Sequence, residues 1–237
     1  MRLAFLSVPF ALLAACSGSV QAEAESGVKG SRDFALSGFD KVDLRGPDDV
    51  TVRVGPAASV RAEGDTAILD RLEITVVGNE LRVSRKKNQS NWNGTRGTAK
   101  VTVTLPVLTG ASIDGSGDMT VDRVKAASFD GSVAGSGNLS VAALEAQAAD
   151  LSIAGSGNIT VAGHTQKVSG SIAGSGNIEA AGLQSDTASL SVMGSGNINV
   201  GARTSASVSL MGSGDATVTG GAKCTVRKMG SGDARCG

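Results

Sequence analysis

The sequence predicts an all-β fold, a parallel β-helix of stacked coils, on three observations. First, the tetrapeptide G-S-G-N/D occurs seven times, beginning at Gly115, Gly135, Gly155, Gly174, Gly194, Gly212 and Gly230. Successive copies lie 18 to 20 residues apart, and a fixed period of that length marks a solenoid of one repeated supersecondary unit. Second, apolar and polar residues alternate with period two on both sides of each copy, as in a strand with one buried face. Third, equivalent positions carry like residues in copy after copy. Parallel coils stacked about 4.8 Å apart place like on like, whereas an antiparallel meander has no need of that likeness.

From the N terminus, residues 1–22 read as a signal peptide region. Arg2 precedes an apolar run over 3–15 that is broken by Pro9 and too short for a permanent membrane helix. Leu13-Ala14-Ala15-Cys16 looks like a lipobox, which predicts cleavage before Cys16 and acylation of that cysteine. The alternative is signal peptidase I cleavage after Ala22, behind Val20-Gln21-Ala22. Ser17 is not the aspartate of an inner-membrane retention signal, so a lipid anchor in the outer membrane is expected, and otherwise a periplasmic or secreted chain. Residues 23–38 are small and polar (Glu23, Glu25, Ser26, Gly27, Gly30, Ser31) and predict a flexible tether.

Residues 39–108 carry strand signals at 42–44, 50–54, 59–62 and 101–105, with a short helical or irregular segment at 68–72. A hairpin is predicted where 74–77 and 81–83 flank Gly78-Asn79. This part is expected to form the first, less regular coils of the same solenoid and to cap it. A separate small sandwich is the alternative.

Residues 109–237 hold the seven coils. The inward column two residues before the first glycine is Ile113, Val133, Ile153, Ile172, Val192 and Leu210; four after it stand Met119, Leu139, Ile159, Ile178, Ile198, Ala216 and Ala234. Outward columns are Ser112, Ser132, Ser152, Ser171, Ser191, Ser209 and Thr120, Ser140, Thr160, Glu179, Asn199, Thr217. The corner column is Asn138, Asn158, Asn177 and Asn197, with Asp118, Asp215 and Asp233 toward the ends, which predicts a ladder of bonded amides. In the last coil Arg227 and Lys228 interrupt the serine and apolar columns, a device that stops further stacking. Cys224 and Cys236 fall in inward columns of that coil and predict a disulfide.

Several function classes find little support. Lys plus Arg and Asp plus Glu both number 22, and there are no tyrosines, one tryptophan and five phenylalanines. No global field favours nucleic acid, and few rings could stack on bases or sugars. The glycine turns are followed by strands, so they are not phosphate loops opening a helix, and their spacing is not that of calcium-binding nonapeptides. His164 is the single histidine, so a His-based metal cluster lacks partners, and the residue reads as decoration of the Ala162-Gly163 bend. Asp114, Asp118 and Asp122 share one segment and read as turn acids; Asp215 and Asp233 read as surface acids of the terminal coils. The best localised candidate is a loop with Arg82, Arg85, Lys86, Lys87, Arg96 and Lys100 around Trp92, which could meet an anionic envelope polymer. These side chains are expected to lie outside the repeat columns and to leave the core unaffected. The serine column is the second candidate.

Phe39-Asp40-Lys41-Val42, Asp49-Val50-Thr51-Val52, Asn79-Glu80-Leu81-Arg82-Val83 and Val101-Thr102-Val103-Thr104-Leu105-Pro106, followed by reiterated G-S-G-N-I, resemble the bacterial family called putative auto-transporter adhesin, head GIN domain. The resemblance spans about residues 37–237. It implies a right-handed parallel β-helix on the cell envelope and carries over no catalytic or binding residue. The resulting expectation is an exported envelope protein that binds or scaffolds without catalysis, cofactor or metal, its partners a membrane through Cys16 and an envelope polysaccharide or protein. The alternatives are an enzyme acting on envelope or extracellular polysaccharide and a purely structural assembly partner.

Overall fold

Each coil turns at a corner built on the close approach of one backbone to the next. In the computed structural model, which describes residues 27–86 and 97–237, the first glycine of every G-S-G-N/D copy has φ between +124° and +151°, a region L side chains rarely adopt. In every copy but the last its carbonyl accepts two bonds from the coil above: Gly135 O takes Ser156 N at 2.9 Å and Gly157 N at 3.0 Å. A Cβ on Gly157 would lie 2.2 Å from Gly137 O. The motif therefore records a steric limit between coils.

The molecule is a β-solenoid of about six turns of about 20 residues, with a mixed β region in its N-terminal part. That part contains β1 (Lys29–Phe34), β2 (Lys41–Gly46), β3 (Asp49–Val54), β4 (Ser59–Asp65), α1 (Thr66–Leu69), β5 (Leu72–Val77), β6 (Glu80–Arg85) and β7 (Lys100–Leu105). The repeats follow as β8 (Gly110–Gly115), β9 (Met119–Val121), β10 (Val124–Gly135), β11 (Asn138–Gly155), β12 (Asn158–Gly174), β13 (Asn177–Gly194), β14 (Asn197–Gly212), β15 (Ala216–Thr219), β16 (Lys223–Gly230) and β17 (Ala234–Cys236).

Strands leading into the corner form a front face, and strands leaving it form a second face. Both pair in parallel with like on like: Val133, Ile153, Ile172, Val192 and Leu210 are consecutive register partners, and all are buried. Irregular register between Val141 and Leu144, and at its equivalents in later coils, lets β11 to β13 bend between faces while remaining hydrogen-bonded.

Spatial order departs from chain order at the N-terminal end. β2 pairs in parallel with both β6 and β8, and β3 with both β7 and β9. The coil made first in the chain thus lies between the coil of β6 and β7 and the first repeat. Its corner, Gly46-Pro47-Asp48-Asp49, sits under Gly115 in register and accepts from Ser116 N and Gly117 N as the glycine corners do. The end is closed by antiparallel strands: β5 on β6, β4 on β7, and β1 on β4. α1, N-capped by Asp65 accepting from Ala67 N, buries Ile68 and Leu69.

One boundary differs from the expected tether over 23–38. Lys29 to Phe34 pair residue for residue with β4, from Asp65 back to Val60. The segment has little apolar alternation to announce a strand. Edge pairing and polar contacts hold it, with Arg61 bonding Asp33 and Ser31, and Arg32 bonding Asp70. Residues 23–26, the signal region with Cys16, and Lys87, Trp92 and Arg96 lie outside the described residues. At the other end Cys224 and Cys236 are disulfide-bonded, and Lys228, standing in an inward column, donates to Asp233 Oδ1 at 3.1 Å.

Candidate functional site

The cations expected to form a ligand loop are divided by the structure. Arg85 closes a bidentate pair with Asp48, Nε to Oδ2 at 2.9 Å and Nη2 to Oδ1 at 2.6 Å. Ala99 N also donates to Asp48 Oδ1, at 2.8 Å, and the carboxylate is 1% exposed. Asp48 occupies the column of the second corner glycine, since a Cβ on Gly117 above it would meet Asp48 O. In the regular coils the carbonyl below forbids a side chain there. At Asp48 a side chain is accommodated, and its burial demands a countercharge. The expectation that these cations leave the core unaffected therefore fails at Arg85, whose charge serves the fold.

Arg82 lies against Glu80 (Nη2 to Oε1, 3.0 Å), with its Nε 3.5 Å from buried Asp43. Asp43 also accepts from Arg45 Nε at 2.6 Å and from Ser112 Oγ at 2.9 Å. The hydrogen bond to Asp43 holds the Arg45 guanidinium above the ordinary arginine range, against the opposing effect of burial. Lys86 Nζ donates to the Asp70 carbonyl at 3.1 Å. Lys100 is exposed at the start of β7 and lines a groove of about 350 Å³ with Lys29, Glu63 and Asp65. The four described cations of the seven-residue set do not converge on one ligand. Asp43 and Asp48, the buried carboxylates that organise this end, escaped the reading by columns; the acidic pair in G-P-D-D was the one available signal.

The other acids are engaged locally. Asp118 accepts from Asn138 N and Nδ2 at 3.0 and 2.8 Å, Asp122 from Val54 N at 3.0 Å, and Asp114 lies 3.8 Å from Arg45. Asp215 Oδ1 accepts from the backbone N–H of Asp233 at 2.7 Å, while Lys228 offsets the charge of the upper carboxylate. His164 is exposed on a bend. Among the described residues no group of three His, Cys, Asp or Glu is arranged to hold a metal ion.

What remains are the outward columns. The corner amides form the expected ladder: Asn158 donates to Asn138 Oδ1 at 2.8 Å, and Asn177 and Asn197 donate downward at 3.0 Å. Beside it on the second face Thr102, Thr51, Thr120, Ser140 and Thr160 are successive register partners. The first two join the row only because the first coil is inserted, so spacing along the chain could not place them. Among the described residues none of these five hydroxyls has a hydrogen-bond partner. The front face carries Ser112 to Ser209 as a second row, continued downward by Asp43.

Residues 38–222 match the family described as putative auto-transporter adhesin, head GIN domain. No curated protein matches the chain at a significant level. Among solved structures, a putative adhesin from Bacteroides fragilis is similar with a TM-score of 0.84 at 24% identity, over 90% of this chain and 99% of that one. A putative lipid binding protein from Parabacteroides distasonis is similar with a TM-score of 0.71 at 22% identity, over 92% and 100%. A putative adhesin from Parabacteroides merdae gives 0.69 at 16%, over 90% and 98%. At these identities the likeness is one of fold.

Proposed function

Since the chain belongs to the putative auto-transporter adhesin, head GIN domain family, we propose that it is a non-catalytic binding module of the cell envelope, tethered through Cys16, whose second face engages an envelope polysaccharide. The observation that supports this most is the row of five unengaged hydroxyls from Thr102 to Thr160. Hydroxyls are both donors and acceptors, and strand stacking repeats them about every 4.8 Å. Such a row meets a polymer of hydroxyls by hydrogen bonds and needs no aromatic platform. At the N-terminal end Arg45, Arg82 and Arg85 are paired with Asp43, Glu80 and Asp48, which leaves these charges to the fold.

The test is binding of the acylated full chain, in detergent, to immobilised envelope glycans and lipopolysaccharide. Replacing Thr120 and Thr160 with Lys should abolish retention without lowering the melting temperature. Undiminished binding by that variant rejects the second face. Shortening of the glycan chains would replace this reading with the enzymatic one, and co-purification with an envelope protein without glycan retention would favour the assembly partner. The anchor has its own measurement. Mass spectrometry of the mature N terminus should find Cys16 acylated, and an unmodified chain beginning at Glu23 overturns the tether.

A further inference from the structure

Large apolar side chains are seldom stacked on a solvent-facing column, yet Met193, Met211 and Met229 are register partners on the front face. They are 53%, 52% and 71% exposed. The same column continues downward as Ala173, Ala154 and Ala134. Three bulky residues thus occupy the top of the column and three small ones the next three coils, below which it continues as Asp114 and Arg45.

Charge divides in a similar way, apart from Lys167, which is exposed on β12 in the column of Lys223. Asp130 and Asp150 are exposed register partners low on the face, and Lys223 and Arg227 are exposed in its last strand. None of these four has an ion-pair partner among the described residues. Between them lie Ser169, Ser171, Ser189, Ser191, Ser207 and Ser209, in register on β12 to β14, too small to hold another sheet away.

We infer that this face is the interface of a homodimer. A second copy lies face to face with the first about a twofold axis parallel to the strands, passing between the levels of Ser171 and Ser191. That rotation keeps each column opposite itself and reverses the order of coils. Met193 then faces Ala173 of the second copy, Met211 faces Ala154, and Met229 faces Ala134. The same operation brings Asp130 opposite Thr225, between Lys223 and Arg227, with Asp150 one coil away. Each contact occurs twice, as a twofold interface requires. Six coils about 4.8 Å apart and some seven residues of strand give a patch of roughly 650 Å² per copy. That falls at the lower end of stable interfaces, which bury about 1,200–2,000 Å² in total. The dimer leaves the second face and its hydroxyl row outward on both copies.

The test combines cross-linking with charge exchange in the full chain. Ala154→Cys and Met211→Cys lie three coils apart within one copy, about 14 Å, beyond the reach of an internal disulfide. In the dimer they meet across the interface. The double variant should therefore run as a disulfide-linked dimer on non-reducing gels of cell envelopes, and neither single variant should. In sedimentation of the purified chain the parent should show twice the monomer mass. Asp130→Arg and Arg227→Asp should each reduce it to the monomer mass, and the two together should restore the dimer. Met211→Asp, on an exposed position that leaves the coils intact, should also give monomer with an unchanged circular dichroism spectrum. A monomeric parent without a cross-link overturns the inference, as does a dimer indifferent to both charge reversals and to Met211→Asp.

Discussion

At Gly157 the absence of a side chain is a structural requirement, because the carbonyl of Gly137 occupies the space a Cβ would take. Gly157→Ala should open the corner and lower the urea midpoint sharply. Ser156→Ala beside it, exposed, should stay within about 0.5 kcal/mol of the parent. Arg85 is the second critical residue. Removing one partner of a buried pair strands the other charge, at about 3–5 kcal/mol. Arg85→Ala should therefore destabilise by about 3 kcal/mol in chemical denaturation, the lower end because Arg85 is 19% exposed. Arg203→Ala breaks an exposed pair with Asp186 and should change stability by less than about 1 kcal/mol. Equal effects at Arg85 and Arg203 would show that Asp48 is hydrated and that its pair does not seal the end.

At the level of a coil, the alternation that identified the strands also assigns their faces. Ile172 is buried and neighbouring Ser171 is exposed. Ile172→Asp should unfold the surrounding coils, since an unpaired buried carboxylate costs several kcal/mol, whereas Ser171→Ala should be nearly silent in thermal melts. Comparable losses at both sites would mean that the register is shifted by one residue. The terminal coil has a different support. β16 and β17 are mostly exposed, and their link is the disulfide 12 residues apart in sequence. A loop of that size contributes about 3 kcal/mol in the chain-entropy estimate. Reduction should speed amide exchange in β16 and β17 while β11 to β13 stay protected; uniform acceleration would mean that the solenoid unfolds as one unit.

For the molecule as a whole, the inserted first coil makes the N-terminal end depend on its earliest strands. β2 and β3 each have a coil on both sides, so removing residues 27–54 deletes an internal layer. Such a chain should lose the structure of β4 to β7 and aggregate through the bared edges of β8 and β9. Removing residues 222–237 takes away only an end layer and should leave the remaining coils folded, as nearest-neighbour coupling in repeat proteins implies. Circular dichroism and light scattering on the two truncations compare these outcomes, and a soluble, fully folded 55–237 chain would contradict the stacking order.

The amino-acid sequence alone determined the strand faces, the corner positions, the amide ladder and the terminal disulfide. Each of these is local or repeats at a constant interval, so residue type at a given spacing carries the information. The tertiary structure alone decided that residues 41–54 sit between two later coils, because pairing with both neighbours leaves no periodic trace in one short strand pair. It decided that Lys29–Phe34 is a strand, since edge hydrogen bonds need no apolar alternation. It decided that Arg85 belongs to Asp48: a charge run looks the same in sequence whether its members face solvent or a buried carboxylate 37 residues away, and only the stacking of β6 on the first coil brings the two together.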